Sequence, residues 1–101
     1  MKKILILLFT FSSLATFSQN TPEEFYRSGM EKRDNKDYIG SILDFTKAIK
    51  LDNYETVKFV YYARGVSYYL LGNKSDACYD FEMSSRLGYD YAEKMIRELC
   101  D

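Results

Sequence analysis

With 101 residues, the chain has room for one ordinary domain. Its 14 basic and 15 acidic side chains leave a formal charge of −1, which lacks the clustered Lys and Arg surplus that a nucleic-acid surface requires. No histidine occurs, which removes the commonest general base and the commonest metal ligand, while ten tyrosines and seven phenylalanines give a heavy aromatic load.

Met1-Lys2-Lys3 is followed by the apolar run Ile4–Phe9 and then by small and apolar residues up to Ser18. A basic start, a short apolar core and small residues at the −3 and −1 positions, Thr16 and Ser18, form a secretory signal peptide over residues 1–18, cleaved before Gln19. The run is short and rich in Ser and Thr for a permanent span; a membrane anchor is the alternative. No cysteine stands near the cleavage site, which argues against a lipid anchor. The mature protein is then residues 19–101, with 12 basic and 15 acidic residues. It is expected to be exported, periplasmic or secreted, with no membrane association after cleavage.

The mature sequence reads as five helices and no strand, an all-α class. Thr21 caps a first helix, with Pro22 at its first position and Glu24 completing a capping box. That helix carries Phe25, Tyr26, Gly29 and Met30 and fades in the polar run Arg33-Asp34-Asn35-Lys36. Asp37 caps a second, whose apolar stripe is Tyr38, Ile42, Phe45 and Ile49. Leu51 to Glu55 is a connector. Val57–Leu71 is too long for an ordinary strand and reads as a helix buried on most sides. Gly72 ends it, and Asn73 or Ser75 opens the next helix, which carries Ala77, Cys78, Phe81 and Ser84 and is closed by Gly88. Asp90 caps a last helix, with Ala92, Met95, Ile96 and Leu99 on one face.

The two cysteine-bearing segments are expected to run antiparallel about the turn at Leu87–Tyr89. Cys78 lies ten residues before Gly88 and Cys100 twelve after it, which puts both at one height on antiparallel helices. An even cysteine count in an exported chain predicts a disulfide; two buried free thiols are the alternative.

The chain also repeats itself at an offset of 36. Phe25 returns as Tyr61, Gly29 as Gly65, Ser41 as Ala77, Phe45 as Phe81 and Ala48 as Ser84. These residues, with Tyr68 and Gly72 in the second copy, resemble the tetratricopeptide repeat. There are departures. Lys32 stands where an aromatic is expected, and Asn53 stands where a proline usually closes the unit. The offset exceeds the family's period of about 34, which points to two extra residues around Asp52–Glu55. Another helical-hairpin repeat is the alternative. The resemblance implies a short solenoid: repeat one over about residues 22–55, repeat two over about 56–89, and a capping helix over 90–100.

In that family the first helix of each unit lines a concave groove. By resemblance, the groove of this chain is Tyr26, Met30 and Arg33 from the first unit, with Phe59, Tyr62, Val66 and Tyr69 from the second. Such a surface implies a protein or peptide partner, or a second copy of the chain. The Lys/Asn clamp that some relatives use for a C-terminal carboxylate is absent from the key positions, held by Tyr26, Met30, Tyr62 and Val66. Acidic residues such as Asp34, Asp37 and Asp44 form no catalytic spacing, and the thiols lack a Cys-x-x-Cys pattern or an activating histidine. The expectation is therefore a binding module, not an enzyme, with no catalytic residue, cofactor or metal. A spacer without a specific ligand is the competing reading.

Overall fold

The computed structural model describes residues 21–51 and 55–101. The expected signal peptide and residues 52–54 of the connector, where the two extra residues were placed, lie outside the described residues. Those described fold into five α-helices and no strand: α1 (Pro22–Asp34), α2 (Tyr38–Leu51), α3 (Val57–Leu71), α4 (Lys74–Arg86) and α5 (Tyr91–Leu99). The all-α class and the number of helices are those read from the sequence.

Local chemistry sets the boundaries. The backbone N–H of Glu24 donates to Thr21 Oγ1 at 3.1 Å, and that of Gly40 donates to Asp37 Oδ1 at 3.0 Å. Asn73 caps α4 by accepting from the Asp76 N–H at 3.3 Å. Each of these bonds satisfies a donor that the first helical turn leaves open. Asp90 departs from expectation. It precedes α5, but its backbone is already helical (φ −61°, ψ −30°) and its side chain makes no cap bond.

The helices pack as consecutive antiparallel pairs: α1 on α2, α2 on α3, α3 on α4 and α4 on α5. Glycine makes the intra-hairpin approach possible. A Cβ on Gly29 would stand 2.6 Å from Phe45 Cε1, and one on Gly65 would stand 2.8 Å from Phe81 Cε1. Both phenylalanines are fully buried. The main apolar cluster joins Phe45 and Ala48 of α2 to Val60 and Ala63 of α3, with Phe25, Tyr26, Met30 and Ile49 packed around it. It therefore straddles the junction between the two copies. Most of α3 is buried or half-buried, in line with a helix covered on most sides; its exposed residues are Phe59, Tyr69, Leu70 and Leu71.

The offset of 36 also governs polar contacts that the apolar pattern does not reveal. Asp44 and Asp80 are equivalent positions, and both are buried. Arg64 grips Asp80 with two N–H donors, each at 2.8 Å, and its guanidinium lies near the rings of Tyr61 and Tyr68. Burial pushes the Asp80 carboxyl above its ordinary value, against the pull of the Arg64 bonds. Burial is the largest single influence on Arg64 and opposes its charge, but hydrogen bonding to Asp80, the Asp80 charge and the nearby Tyr68 and Tyr61 together hold Arg64 above its ordinary value.

In the first copy Ser28 occupies the position of Arg64 and donates to Asp44 Oδ2 at 2.5 Å. The cation comes instead from Lys32, one turn further along α1, at 3.0 Å from the same oxygen. Lys32 thus replaces an aromatic because it neutralises a buried carboxylate that its own hairpin leaves without an arginine.

The turns repeat as well. The Asp37 N–H bonds Lys32 O and the Asn73 N–H bonds Tyr68 O, both at 2.8 Å, the wide bond of a Schellman closure. The left-handed residue is Gly72 in one copy (φ 95°) and Lys36 in the other (φ 65°).

Candidate functional site

α1 and α3 lie side by side and run in the same direction, because each packs antiparallel to α2. Between them is a pit of about 140 Å³ lined by Tyr26, Met30 and Arg33 of α1, Phe59, Tyr62 and Ala63 of α3, and Tyr89. Five of the seven expected groove residues therefore meet at one place. Val66 and Tyr69 do not line this pit; they lie further along α3, Val66 half-buried and Tyr69 exposed. A second, smaller pit of about 120 Å³ adjoins the first, sharing Tyr26 and Phe59 and adding Pro22, Glu23, Thr56 and Val60.

The two groove tyrosines are placed by the same device. The Tyr26 ring leans on Phe45 at 5.9 Å between centroids and 44° between planes. The Tyr62 ring leans on Phe81 at 5.7 Å and 47°. The buried phenylalanine of each hairpin thus sets the position of the aromatic ring on its outer face, and a packing feature becomes a surface feature one layer out.

Two residues of this surface were missed in the sequence. Tyr89 stacks edge-on against Phe59 at 5.0 Å and against Tyr62 at 5.2 Å, and Tyr91 meets Tyr62 at 5.7 Å. Neither takes part in the repeat pattern, so periodicity gives no sign of them. The available signal is their place directly after Gly88 (φ 104°), where the chain reverses from α4 and returns over α3. Their rings extend the aromatic wall beyond the two first helices.

Arg33 is the one charged residue lining the larger pit, and among the described residues it forms no ion pair. Its field opposes the other influences on Tyr62, whose hydroxyl is pushed above its ordinary value first by burial and then by Tyr91 and Tyr89. The arrangement offers aromatic area, a flexible methionine and one unpaired cation. Its other polar side-chain atoms are the hydroxyls of Tyr26, Tyr62 and Tyr89.

A polar cleft of about 360 Å³ on the other side of α1 surrounds Asp44 and is rimmed by Glu24, Arg27, Glu31, Lys32 and Lys47. Its charges are largely spent on each other: Arg27 pairs with Glu24 and Lys32 with Asp44. Among the described residues, no group of three His, Cys, Asp or Glu side chains is placed to hold a metal ion.

Cys78 and Cys100 form a disulfide with their Cα atoms 5.9 Å apart. It fastens the C-terminal end of α5 to α4, while Tyr89 and Tyr91 anchor the start of α5 on α3. No helix among the described residues is long and apolar enough to cross a membrane. The chain matches no protein-family model, no curated protein and no solved structure.

Proposed function

We propose that this chain is an exported tetratricopeptide-type repeat protein that binds a peptide or protein segment in the groove between α1 and α3. The observation that carries the reading is the aromatic pit itself, five of whose seven lining residues fall at the positions where this repeat family binds partners. The recurrence at 36 residues of glycine–phenylalanine contact, buried aspartate and turn closure supports the repeat assignment. The disulfide supports an oxidising compartment, in keeping with the basic and apolar start of the sequence. Tyrosine suits such a surface because it brings large contact area at low entropic cost.

A photo-crosslinking residue placed in turn at Phe59, Met30 and Tyr79 tests the reading in living cells. Phe59 and Met30 line the pit, whereas Tyr79 is exposed on α4. A discrete crosslinked partner from Phe59 and Met30, absent from Tyr79, is expected. Equal labelling from all three sites, or none from the groove, overturns it.

A further inference from the structure

The last helix is held by its two ends more than by its length. The nine residues of α5 are fewer than an isolated helix needs to persist in water, and Asp90 gives its start no side-chain cap. It packs chiefly on α4. Ala92 is its one fully buried residue, while Met95, Ile96 and Leu99 are only half-buried. At the N-terminal end the Tyr91 ring meets Tyr62 edge-on at 5.7 Å and 76° between planes. At the C-terminal end Cys100 is joined to Cys78 of α4. The Lys74–Asp101 pair beyond the bridge spans 3.4 Å, but both side chains are well exposed, and such pairs contribute little.

Tyr89 and Tyr91 are tied to different elements. The Tyr89 N–H donates to Ser84 O at 3.1 Å, which closes α4 and holds Tyr89 independently of α5. Tyr91 stands past that closure, on the first turn of α5, and its ring covers an edge of Tyr62, which lines the larger pit. A helix this short moves as one body. The tie at Cys100, about 13 Å further along the axis, therefore governs the contact at Tyr91. Cys78 and Cys100 are each only half-buried, which leaves the bridge within reach of a thiol. A dithiol reductant attacks one sulfur as a thiolate, forms a mixed disulfide and releases the other cysteine as a thiolate. Its second thiolate then displaces the first cysteine. The reductant leaves as a disulfide, and the protein gains two electrons and two protons as two thiols.

We propose that α5 is a redox-controlled strap: exchange of the Cys78–Cys100 disulfide with a dithiol oxidoreductase frees α5, lifts Tyr91 off Tyr62 and uncovers that side of the aromatic pit. The strap is closed under oxidising conditions and opens where such a reductant reaches it. It concerns the wall of the pit, whatever occupies the groove, and so stands or falls apart from the partner proposed above. The intact bridge confines the open state to a loop with a sequence separation of 22. Releasing it raises the open population of α5 by about 100-fold.

Hydrogen exchange of the purified protein, read by mass spectrometry before and after dithiothreitol under native conditions, tests the strap. Protection in α5 should fall by about 100-fold while α1 to α3 keep theirs, and reoxidation should restore it. Nitration of Tyr62 by tetranitromethane reports the wall. It should rise severalfold in the thiol-free pair Cys78→Ser/Cys100→Ser, and also in Tyr91→Ala, whose bridge is intact. Should the serine pair not fold, exchange in the reduced wild type and nitration of Tyr91→Ala decide alone. Unchanged α5 protection in the reduced protein, protection lost evenly over all five helices, or a bridge that dithiothreitol opens only in denaturant each overturns the proposal. So does Tyr62 nitration that stays the same in either folded variant.

Discussion

Gly29→Ala should destabilise the protein although alanine is the better helix former. A Cβ at this position would stand 2.6 Å from Phe45 Cε1, 2.7 Å from Cδ1 and 3.0 Å from Cζ. Resting carbon–carbon contacts are about 3.5–4.0 Å, so the methyl group intrudes by about 1 Å. The ring has no room to withdraw. Phe45 is fully buried, and Tyr26 leans on it at 5.9 Å. The two helices must therefore part. Overpacking of this kind costs about 1–3 kcal/mol, and the gain in helix propensity returns about 1 kcal/mol. The net expectation is a loss of up to about 2 kcal/mol. Urea unfolding followed by far-UV circular dichroism measures it, in a cycle with Phe45→Leu. Leucine removes the ring edge that the methyl strikes, so the double variant should be more stable than the sum of the single losses by at least about 1 kcal/mol. A stabilised Gly29→Ala, or two effects that simply add, would refute the close-approach argument for both hairpins.

The other expectations concern single features. Lys36 holds a left-handed turn position whose equivalent is Gly72, so Lys36→Gly should raise stability by about 0.5–1 kcal/mol in the same assay; no gain would mean that the lysine is unstrained. Lys32→Tyr strips the buried Asp44 of its cation and should cost about 1–3 kcal/mol, and adding Ser28→Arg should recover most of it by recreating the Arg64–Asp80 arrangement. Failure of the rescue would show that the two hairpins are not interchangeable. Replacing Cys78 and Cys100 by serine opens a loop with a sequence separation of 22, worth about 3 kcal/mol. Hydrogen exchange should then rise in α5 far more than in α2, and uniform protection would argue otherwise. Because Tyr62 is raised above its ordinary value of 10.0 in the fold, its protonated form is favoured there. The stabilisation is full below that value and fades as pH climbs through the folded value. Tyr62→Phe should thus flatten the alkaline loss of stability, and an unchanged alkaline limb would count against the burial argument.

What the sequence disclosed followed from periodicity and from end signals. Thr21, Asp37 and Asn73 announce helix starts because their side chains complete local hydrogen bonds, which depend on near neighbours alone. Gly29 with Phe45, and Gly65 with Phe81, are legible because each pair recurs. The Cys78–Cys100 pairing is legible because a tight turn fixes the register of two antiparallel helices. Tyr89 and Tyr91 were not legible, since they enter the site through tertiary return over α3 and echo nothing. The Asp44 and Asp80 networks were missed for a different reason: an acidic residue at a helical spacing reads as solvated surface, and only the fold shows the cation bent toward it. Val66 and Tyr69 were placed in the groove by analogy of position, but the pit between α1 and α3 is not lined by them.

Two hairpins are few for a stacked array, since each unit ordinarily needs a neighbour to cover its apolar face. The offset of 36 shows how this chain meets that need. In α3 the positions turned toward the preceding hairpin are Val60, Ala63 and Ser67, all buried. Their counterparts in α1 are Glu24, Arg27 and Glu31, which face the polar cleft at the open end of the first hairpin. That end therefore presents charge to water where an inner unit would present apolar surface. At the other end, α5 lays Ala92 into the stack, fully buried, and is fastened by the disulfide. With one end polar and the other covered, the exposed Phe59 and Tyr91 and the half-buried Tyr62 and Tyr89 belong to neither end. They lie along the face between α1 and α3, beside Arg33, and that is the face to which the proposed function assigns a partner.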